Sequence, residues 1–432
     1  VKIRTVRLAD LSPDRRAALL QRSAVPDPAI RQGAAEIVSR VRTGGDEALR
    51  DCNRRYGGGL PRDQLLLPPE RLTAALAELE PEVERALRHA IGNIEVCHIP
   101  QRPVDQPLEV SPGVRVDRRW TPLRRVGVYV PGGRAAYPSS LLMGVVPARV
   151  AGVKEIVVVS PADERGDVSP VLMAAAAMLG VTEVYVTGGA QAVAALAYGT
   201  ETIRRVDKIV GPGNAWVTAG KLAVYGDCAV DLPAGPSEAL LLADATAEPR
   251  ILAADLLCQA EHGPDSPVAL VTDAPDLIPR VLAQIERLLP GLEREGILRA
   301  ALGDHGLLVA ADSMDDAIEF ANEFASEHVT IHTATPIEHG ERLTGAGSVY
   351  LGPWAPESAG DYATGANHVL PTGGLARSHG PLAVDDFGSW RQVQHLTREG
   401  LASLRETIGT LATTEGLTAH RLAVEIRFEE EG

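Results

Sequence analysis

Residues 28 to 98 carry apolar side chains at three-to-four spacing in AIRQGAAEIVSRVR, DEALRDCNRRY and PEVERALRHAIGNI, which predicts helices with little strand among them. From residue 126 the pattern changes. Short β-branched runs (VGVYV, EIVVVS, EVYVTG, DKIVG, ALLLAD, PVALVT, GLLVA and VTIHT) now alternate with helical segments. Strand, loop and helix repeating in this order predict parallel sheet covered by helices on both faces, so the fold class is α/β. The segment from about residue 381 reads as mostly helical and ends in EGLTAHRLAVEIRF. It is too short to hold a large core alone and must dock on another surface, for which a second subunit is one source.

Several of the strands run into glycine-rich turns: VPGG (130–133), TGGAQAV (187–193) and VGPGNAW (210–216). Glycine at a strand-to-helix turn lets the backbone approach a phosphate and leaves helix N–H groups free to bind it. The full GxGxxG fingerprint is missing, so each turn alone is weak evidence for a cofactor, and three in one segment are stronger.

At 432 residues the chain is long enough for two or three domains of ~150 residues each. Apolar residues make up 45% and charged residues 23%, the balance of a globular protein in water. No stretch reaches the ~18 to 20 uncharged apolar residues that span a bilayer. The first residues, VKIRTVRLADLSPDRR, carry charge where a signal peptide would be apolar, so a cytoplasmic location is the expectation, with no membrane partner. A net charge of −15 repels nucleic-acid phosphates, and none is expected as a partner. The densest basic run, Arg118, Arg119, Arg124 and Arg125, reads as a solvated face. Cys52, Cys97, Cys228 and Cys258 lie far apart without CxxC spacing, so a metal here would use nitrogen and oxygen ligands.

Candidate chemistry falls in a few places. In PRILAADLLCQAEHG (249–263), read as a helix starting at Pro249 and stopping at Gly263, Gln259 and His262 share a face in the last turn. Two readings fit them: caps on the last carbonyls, or two ligands of a divalent metal attracted to the negative end of the helix. The segment GPWAPESAGDYATGANHVLPTGGLAR (352–377) is dense in glycine and proline and reads as a long functional loop, in which Asp361 offers a third, carboxylate ligand. Glu415 and His420 lie beside the start of the last helix. In NEFASEHVTIH (322–332) a helix ends near Phe324 and a strand begins near Val329, which puts Glu327 and His328 at the junction. An acid beside an imidazole is a general-base pair, or equally an exposed turn.

Taken together, VGVYVPGGRAAYPSS, YVTGGAQAVAALAYGT, KIVGPGNAWV, DLPAGPSE, DLLCQAEHGPDS, ASEHV, ESAGDYATGANHVLPTGGLAR and EGLTAH resemble the histidinol dehydrogenase family, in order from about 126 to 420. The resemblance implies two incomplete Rossmann-like domains with parallel sheets flanked by helices, and small helical terminal segments exchanged across a homodimer. Its segmentation is an arm over 1–25, a first domain from 26–128 plus 238–380, a second over 129–237, and a dimerisation segment over 381–432. It implies zinc on Gln259, His262, Asp361 and His420, the last from the other subunit. Glu327 and His328 match the acid/base pair. Ser237 and Glu415, with His328 and the zinc ligands, match positions that contact the substrate L-histidinol. Tyr129, Gln191 and Asn214 match positions that contact NAD. The implied reaction consumes two NAD in turn, with the aldehyde bound between them.

Three rivals remain. A thiol-dependent aldehyde dehydrogenase would use Cys258 as nucleophile. A zinc hydrolase would use Glu327 on metal-bound water. A non-catalytic nucleotide- or metal-binding module would leave the Glu327–His328 pair without a task.

Overall fold

The computed structural model describes residues 1–132 and 136–429, so Gly133 of the VPGG turn lies outside the described residues, with the two residues after it. Contacts divide the chain into one unit of Val1–Gln101 and Leu123–Phe387 and another of Arg102–Pro122 and Gly388–Gly432. The strands run β1 (Arg4–Arg7), β2 (Gln106–Ser111) and β3 (Val114–Pro122), then β4 (Arg125–Tyr129), β5 (Glu155–Ser160), β6 (Glu183–Val186), β7 (Lys208–Val210) and β8 (Ala229–Val230). A further series is β9 (Ala239–Ala243), β10 (Val268–Thr272), β11 (Gly306–Ala310), β12 (His328–His332) and β13 (Ser348–Leu351), followed by β14 (Gly388–Leu396).

The first unit holds two sheets, ordered β6-β5-β4-β7-β8 and β1-β11-β10-β9-β12-β13, and every pair in them is parallel. All residues of β4, β9, β10, β11 and β12 are buried, as parallel strands covered on both faces require. Each sheet has a topological switch point, between β4 and β7 in one and between β9 and β12 in the other. The eight strands expected from β-branched runs are all present. β1, which the pattern did not announce, joins the edge of the larger sheet beside β11.

The helices expected over 28 to 98 form as Pro28–Tyr56, Pro69–Ala77 and Pro81–His98, each opening on a proline whose missing N–H costs nothing there. Their placement differs from the expected segmentation. Ala34, Ile37, Val38 and Val41 pack into the core of the five-stranded sheet with Val193, Leu196 and Ile209, not onto the six-stranded sheet. The reason is steric: the alanine-rich Gly189–Tyr198 helix presents a face low enough for this apolar stripe to approach. The boundary also moves from 128/129 to before Arg125, where β4 begins.

Arg125 is a second correction. It does not sit on a solvated face: its side chain is 5% exposed and donates to Glu155 at 2.9 Å and to Glu183 at 2.7 Å. A strand position carries it inward, and two carboxylates on neighbouring strands compensate its burial.

In the second unit β2, β3 and β14 form an antiparallel sheet ordered β14-β3-β2, joined by helices Arg398–Thr414 and Thr418–Glu425. The segment after 381 is therefore not purely helical. Trp390, Val393 and Leu396 recur at three-residue spacing, which imitates a helix, although the backbone pairs along all of β3.

The turn after β7 is fixed by a buried ion pair. Lys221 donates to Asp231 at 2.5 Å and to the Gly211 carbonyl, while Asp231 accepts the Gly211 N–H at 2.6 Å. Gly211 has φ +111°, and a Cβ there would lie 2.1 Å from the Tyr129 carbonyl oxygen, so glycine is obligatory. We expect Lys221→Met to leave Asp231 buried without its cation and to cost about 3–5 kcal/mol in chemical denaturation. Lys221→Met combined with Asp231→Asn should recover part of that loss; an unchanged midpoint in the single variant would show that the pair does not hold the turn.

Candidate active site

β9 and β12 lie side by side with Ala239 opposite His328, so the residues just before them, Glu238 and Glu327, also adjoin. Glu327 is buried. Its Oε2 accepts the Ser237 hydroxyl at 2.7 Å and the Glu238 N–H at 2.9 Å. Burial pushes its carboxyl up to about 7, against the lowering effects of His328, Ser237 and the Glu238 N–H. His328 is also buried, with Nδ1 3.3 Å from the Glu238 carbonyl oxygen and 3.8 Å from Glu327 Oε2. Its Nε2 is buried with no hydrogen-bond partner. Burial favours the neutral ring, but Glu357, Glu327 and Asp361 outweigh it and hold the imidazole above its usual range.

Next to this pair lies a candidate metal cluster. Ligand atoms of His262, Glu357 and Asp361 all fall within 4.8 Å of one another. His262 Nε2 is 3.5 Å from Glu357 Oε1 and 3.9 Å from Asp361 Oδ2. His328 Nε2 is 4.0 Å from Asp361 Oδ1, which joins the cluster to the pair. Burial and the neighbouring Glu357 push the Asp361 carboxyl up, against the lowering effects of His328 and His262. Gln259 is fully buried, at the end of the Pro249–Ala260 helix, and neither its Oε1 nor its Nε2 has a partner. Glu357 Oε1 is orphaned in the same way. Buried polar atoms are rarely left so. Gln259 therefore caps no carbonyl, and the imidazole and two carboxylates of the cluster are a donor set that suits a divalent metal.

The remaining sequence candidates are elsewhere. Tyr129 ends β4, Gln191 lies in the helix after β6, and Asn214 follows β7, all at the carboxyl edge of the five-stranded sheet. Asn214 Oδ1 caps the Ala215–Val224 helix, accepting from Trp216 N–H at 3.0 Å and Val217 N–H at 3.2 Å. The Tyr129 hydroxyl accepts from Gly189 N–H at 3.2 Å and is buried, so its own O–H stays available as a donor. Tyr129 and Asn214 follow the two strands, β4 and β7, that flank the switch point, where ligands of open parallel sheets commonly bind. Glu415 and His420 belong to the second unit, where both are exposed.

The Glu327–His328 pair sits at an uncommon edge of its sheet. Catalytic groups in open α/β sheets gather at carboxyl ends of strands, yet this pair stands at the amino ends of β9 and β12. The carboxyl-edge crevice between those strands is closed: Asp244 accepts from Thr246 N–H and Ala334 N–H, both at 2.8 Å, tying the two exit loops together.

Glu357, His368 and Glu238 were not among the candidates. Glu357 shares with the candidate Asp361 a short helix, Glu357–Tyr362, within a stretch that its glycine and proline made look like loop. Their spacing of four was the available signal. His368 Nδ1 is 3.8 Å from Asp361 Oδ1 and is pushed down to about 4 by burial, so it is a neutral ring. Glu238 had no sequence signal beyond standing next to Ser237.

Strand order and site chemistry together define a class: an α/β protein of two parallel sheets, with a buried acid–imidazole pair beside a candidate metal cluster. The family described as histidinol dehydrogenase matches residues 20–428. A histidinol dehydrogenase of Halobacterium salinarum is 48% identical over 426 residues, 98% of this chain and 99% of that protein. Another from Methanothermobacter thermautotrophicus is 47% identical over 386 residues, 89% of this chain and 90% of that one. The crystal structure of histidinol dehydrogenase from Elizabethkingia anophelis superposes with a TM-score of 0.92 at 35% identity, covering 99% of this chain and 98% of that chain. The chain belongs to the histidinol dehydrogenase family, oxidoreductases of histidine biosynthesis.

The thiol alternative fails on its surroundings. Burial, then Glu357, Asp361 and Asp255, push the Cys258 thiol up to about 12, where no useful thiolate exists at neutral pH. Cys258→Ser should keep its turnover number within about threefold, because no covalent step uses the sulfur. A folded, metal-loaded Cys258→Ser variant slowed by ~1000-fold, about 4 kcal/mol of barrier, would restore the thiol mechanism.

Proposed function

We propose that this chain is a zinc-dependent, NAD-linked dehydrogenase that oxidises L-histidinol to L-histidine through bound L-histidinaldehyde. The observation that carries this reading is the juxtaposition of the unpartnered His328 Nε2 with the His262–Glu357–Asp361 cluster, 4.0 Å from Asp361. Gln259, His262 and Asp361, with His420 from a second copy, would hold the zinc. Tyr129, Gln191 and Asn214 would contact NAD. When bound, NAD accepts the hydrides, and the metal orients the substrate's nitrogens and retains the aldehyde between the two oxidations.

The chain's own residues supply the proton chemistry. The Glu238 carbonyl accepts from His328 Nδ1–H, which leaves the Nε2 lone pair to take the alcohol proton as the hydride departs. Glu327, whose Oε2 is occupied by Ser237 and the Glu238 N–H, would use Oε1 to take a proton from the water that hydrates the aldehyde. His328 then serves again as base in the second oxidation. Ser237 and Glu415 would contact substrate. The terminal segments would be exchanged across a homodimer, and the location would be the cytoplasm; no helix among the described residues is long and apolar enough to cross a membrane.

Reduced-nicotinamide absorbance on mixing protein, NAD, zinc and histidinol is the direct test, and a flat trace with folded, metal-loaded protein would end the assignment. Chelator treatment should abolish turnover and added zinc should restore it; full activity with no metal by elemental analysis would contradict the metal role.

His328→Asn should lower both oxidations by about 10²–10⁴-fold, whereas Glu327→Gln should chiefly slow the step that needs activated water. Equal damage by Glu327→Gln to histidinol and histidinaldehyde oxidation would mean that the division of labour is wrong.

His262→Ala and His420→Ala, each inactive alone, should on random re-pairing regain about a quarter of wild-type activity. Half of the dimers are mixed, and one of the two sites in each is intact. Inactive mixtures, with exchange confirmed by a tagged chain, would overturn the shared site but not the dehydrogenase reading.

A further inference from the structure

We propose that Glu238, held by Arg22, is a positioning residue that aims Glu327 and fixes the tautomer of His328; this rests on the acid/base roles proposed above. Glu238 touches both residues through its main chain and its side chain. Its N–H donates to Glu327 Oε2 at 2.9 Å, and its own Oε1 accepts the Glu327 N–H at 3.3 Å. Two buried glutamates thus cap each other's backbone across adjacent parallel strands. The Glu238 carbonyl accepts the His328 N–H at 3.2 Å and lies 3.3 Å from His328 Nδ1. Oε1 also accepts the Gly373 N–H at 3.1 Å, and Oε2 accepts from the Arg22 guanidinium.

With both carboxylate oxygens engaged, Glu238 keeps none for a reactant. It acts through its neighbours. Arg22 supplies the cation that an otherwise isolated buried carboxylate would need. The guanidinium is itself anchored, donating to the Phe324 carbonyl and lying 3.5 Å from the centre of the Phe324 ring. Phe324 ends the helix whose exit, through Ala325 in the left-handed region at φ +49°, leads directly to Glu327. Arg22 therefore grips the catalytic strand from two sides, at Glu238 and at the helix end. The partners of Glu238 and Arg22 are Glu327, His328, Gly373 and Phe324 rather than the His262–Glu357–Asp361 cluster, so their loss acts on proton transfer and not on metal retention.

Glu238→Gln keeps the volume but replaces one acceptor oxygen by a donor, which Arg22 repels. We expect kcat for histidinol to fall about 10- to 100-fold, the scale of an ångström-level misplacement, with KM and calorimetric histidinol affinity within about threefold and metal content unchanged. Arg22→Met should reproduce this loss, and Arg22→Lys, which keeps the charge, should recover part of it.

The decisive readout is coupling. On histidinaldehyde oxidation, the loss in Glu238→Gln combined with Glu327→Gln should fall well short of the product of the two single losses, because the part of the Glu238 effect that runs through Glu327 is already removed and only the part through His328 remains. A merely structural contact would multiply the two losses, and that outcome, or wild-type kcat in both Glu238→Gln and Arg22→Met, overturns the proposal. Should Glu238→Gln not fold, Arg22→Met carries the same cycle. If Glu327→Gln and His328→Asn both run at wild-type rates, the acid/base reading itself falls and this inference with it; normal losses there with no coupling to Glu238 refute the positioning role alone.

Discussion

The active site depends on the parallel pairing of β9 with β12, in the register that sets His328 opposite Ala239. One residue of slip would turn His328 away and separate Glu238 from Glu327, because side chains alternate faces along a strand. Register is secured by burial. Leu240, Leu242, Val329 and Ile331 all face a dry core, so no shifted pairing retains their contacts. The catalytic geometry is thus a by-product of the hydrophobic register, and the hydrogen bonds of Ser237 and Glu238 refine it.

Burial then sets the electrostatics. Within the same protein, Arg125 between two glutamates, Lys221 with Asp231, and Arg22 with Glu238 show each buried charge given a partner. Beside the His262–Glu357–Asp361 cluster, both polar atoms of Gln259 and the Nε2 of His328 are buried without a hydrogen-bond partner. Together with the Asp361 carboxyl, raised by burial and by Glu357, they leave polar atoms that a cation or a polar substrate would satisfy.

The two sheets use opposite edges. In the five-stranded sheet, glycine turns stand at the carboxyl ends of strands, where helix starts point their N–H groups outward. The six-stranded sheet has its carboxyl-edge crevice tied shut by Asp244, and its reactive groups stand where strands begin and helices end. Helix ends are negative, which favours a cation there.

Much of this was legible from the sequence. Short β-branched runs and three-to-four apolar spacing located eight parallel strands and the early helices, and a helix end, a helix–strand junction and a Gly/Pro-rich segment drew attention to Gln259, His262, Glu327, His328 and Asp361, because such signals are properties of short segments. What escaped depends on distant contacts. The three-residue spacing of Trp390, Val393 and Leu396 mimics a helix until β3 offers a partner. Arg125 looks solvated until Glu155 and Glu183 arrive from other strands. Glu238 and Arg22 are 216 residues apart, and nothing local marks either one. The sequence by itself determined which elements form and which side chains can do chemistry, whereas only the tertiary structure decided which edge of each sheet they reach and which charges meet. Pairing and burial of polar groups are long-range outcomes, set by packing and not by the neighbours in the chain.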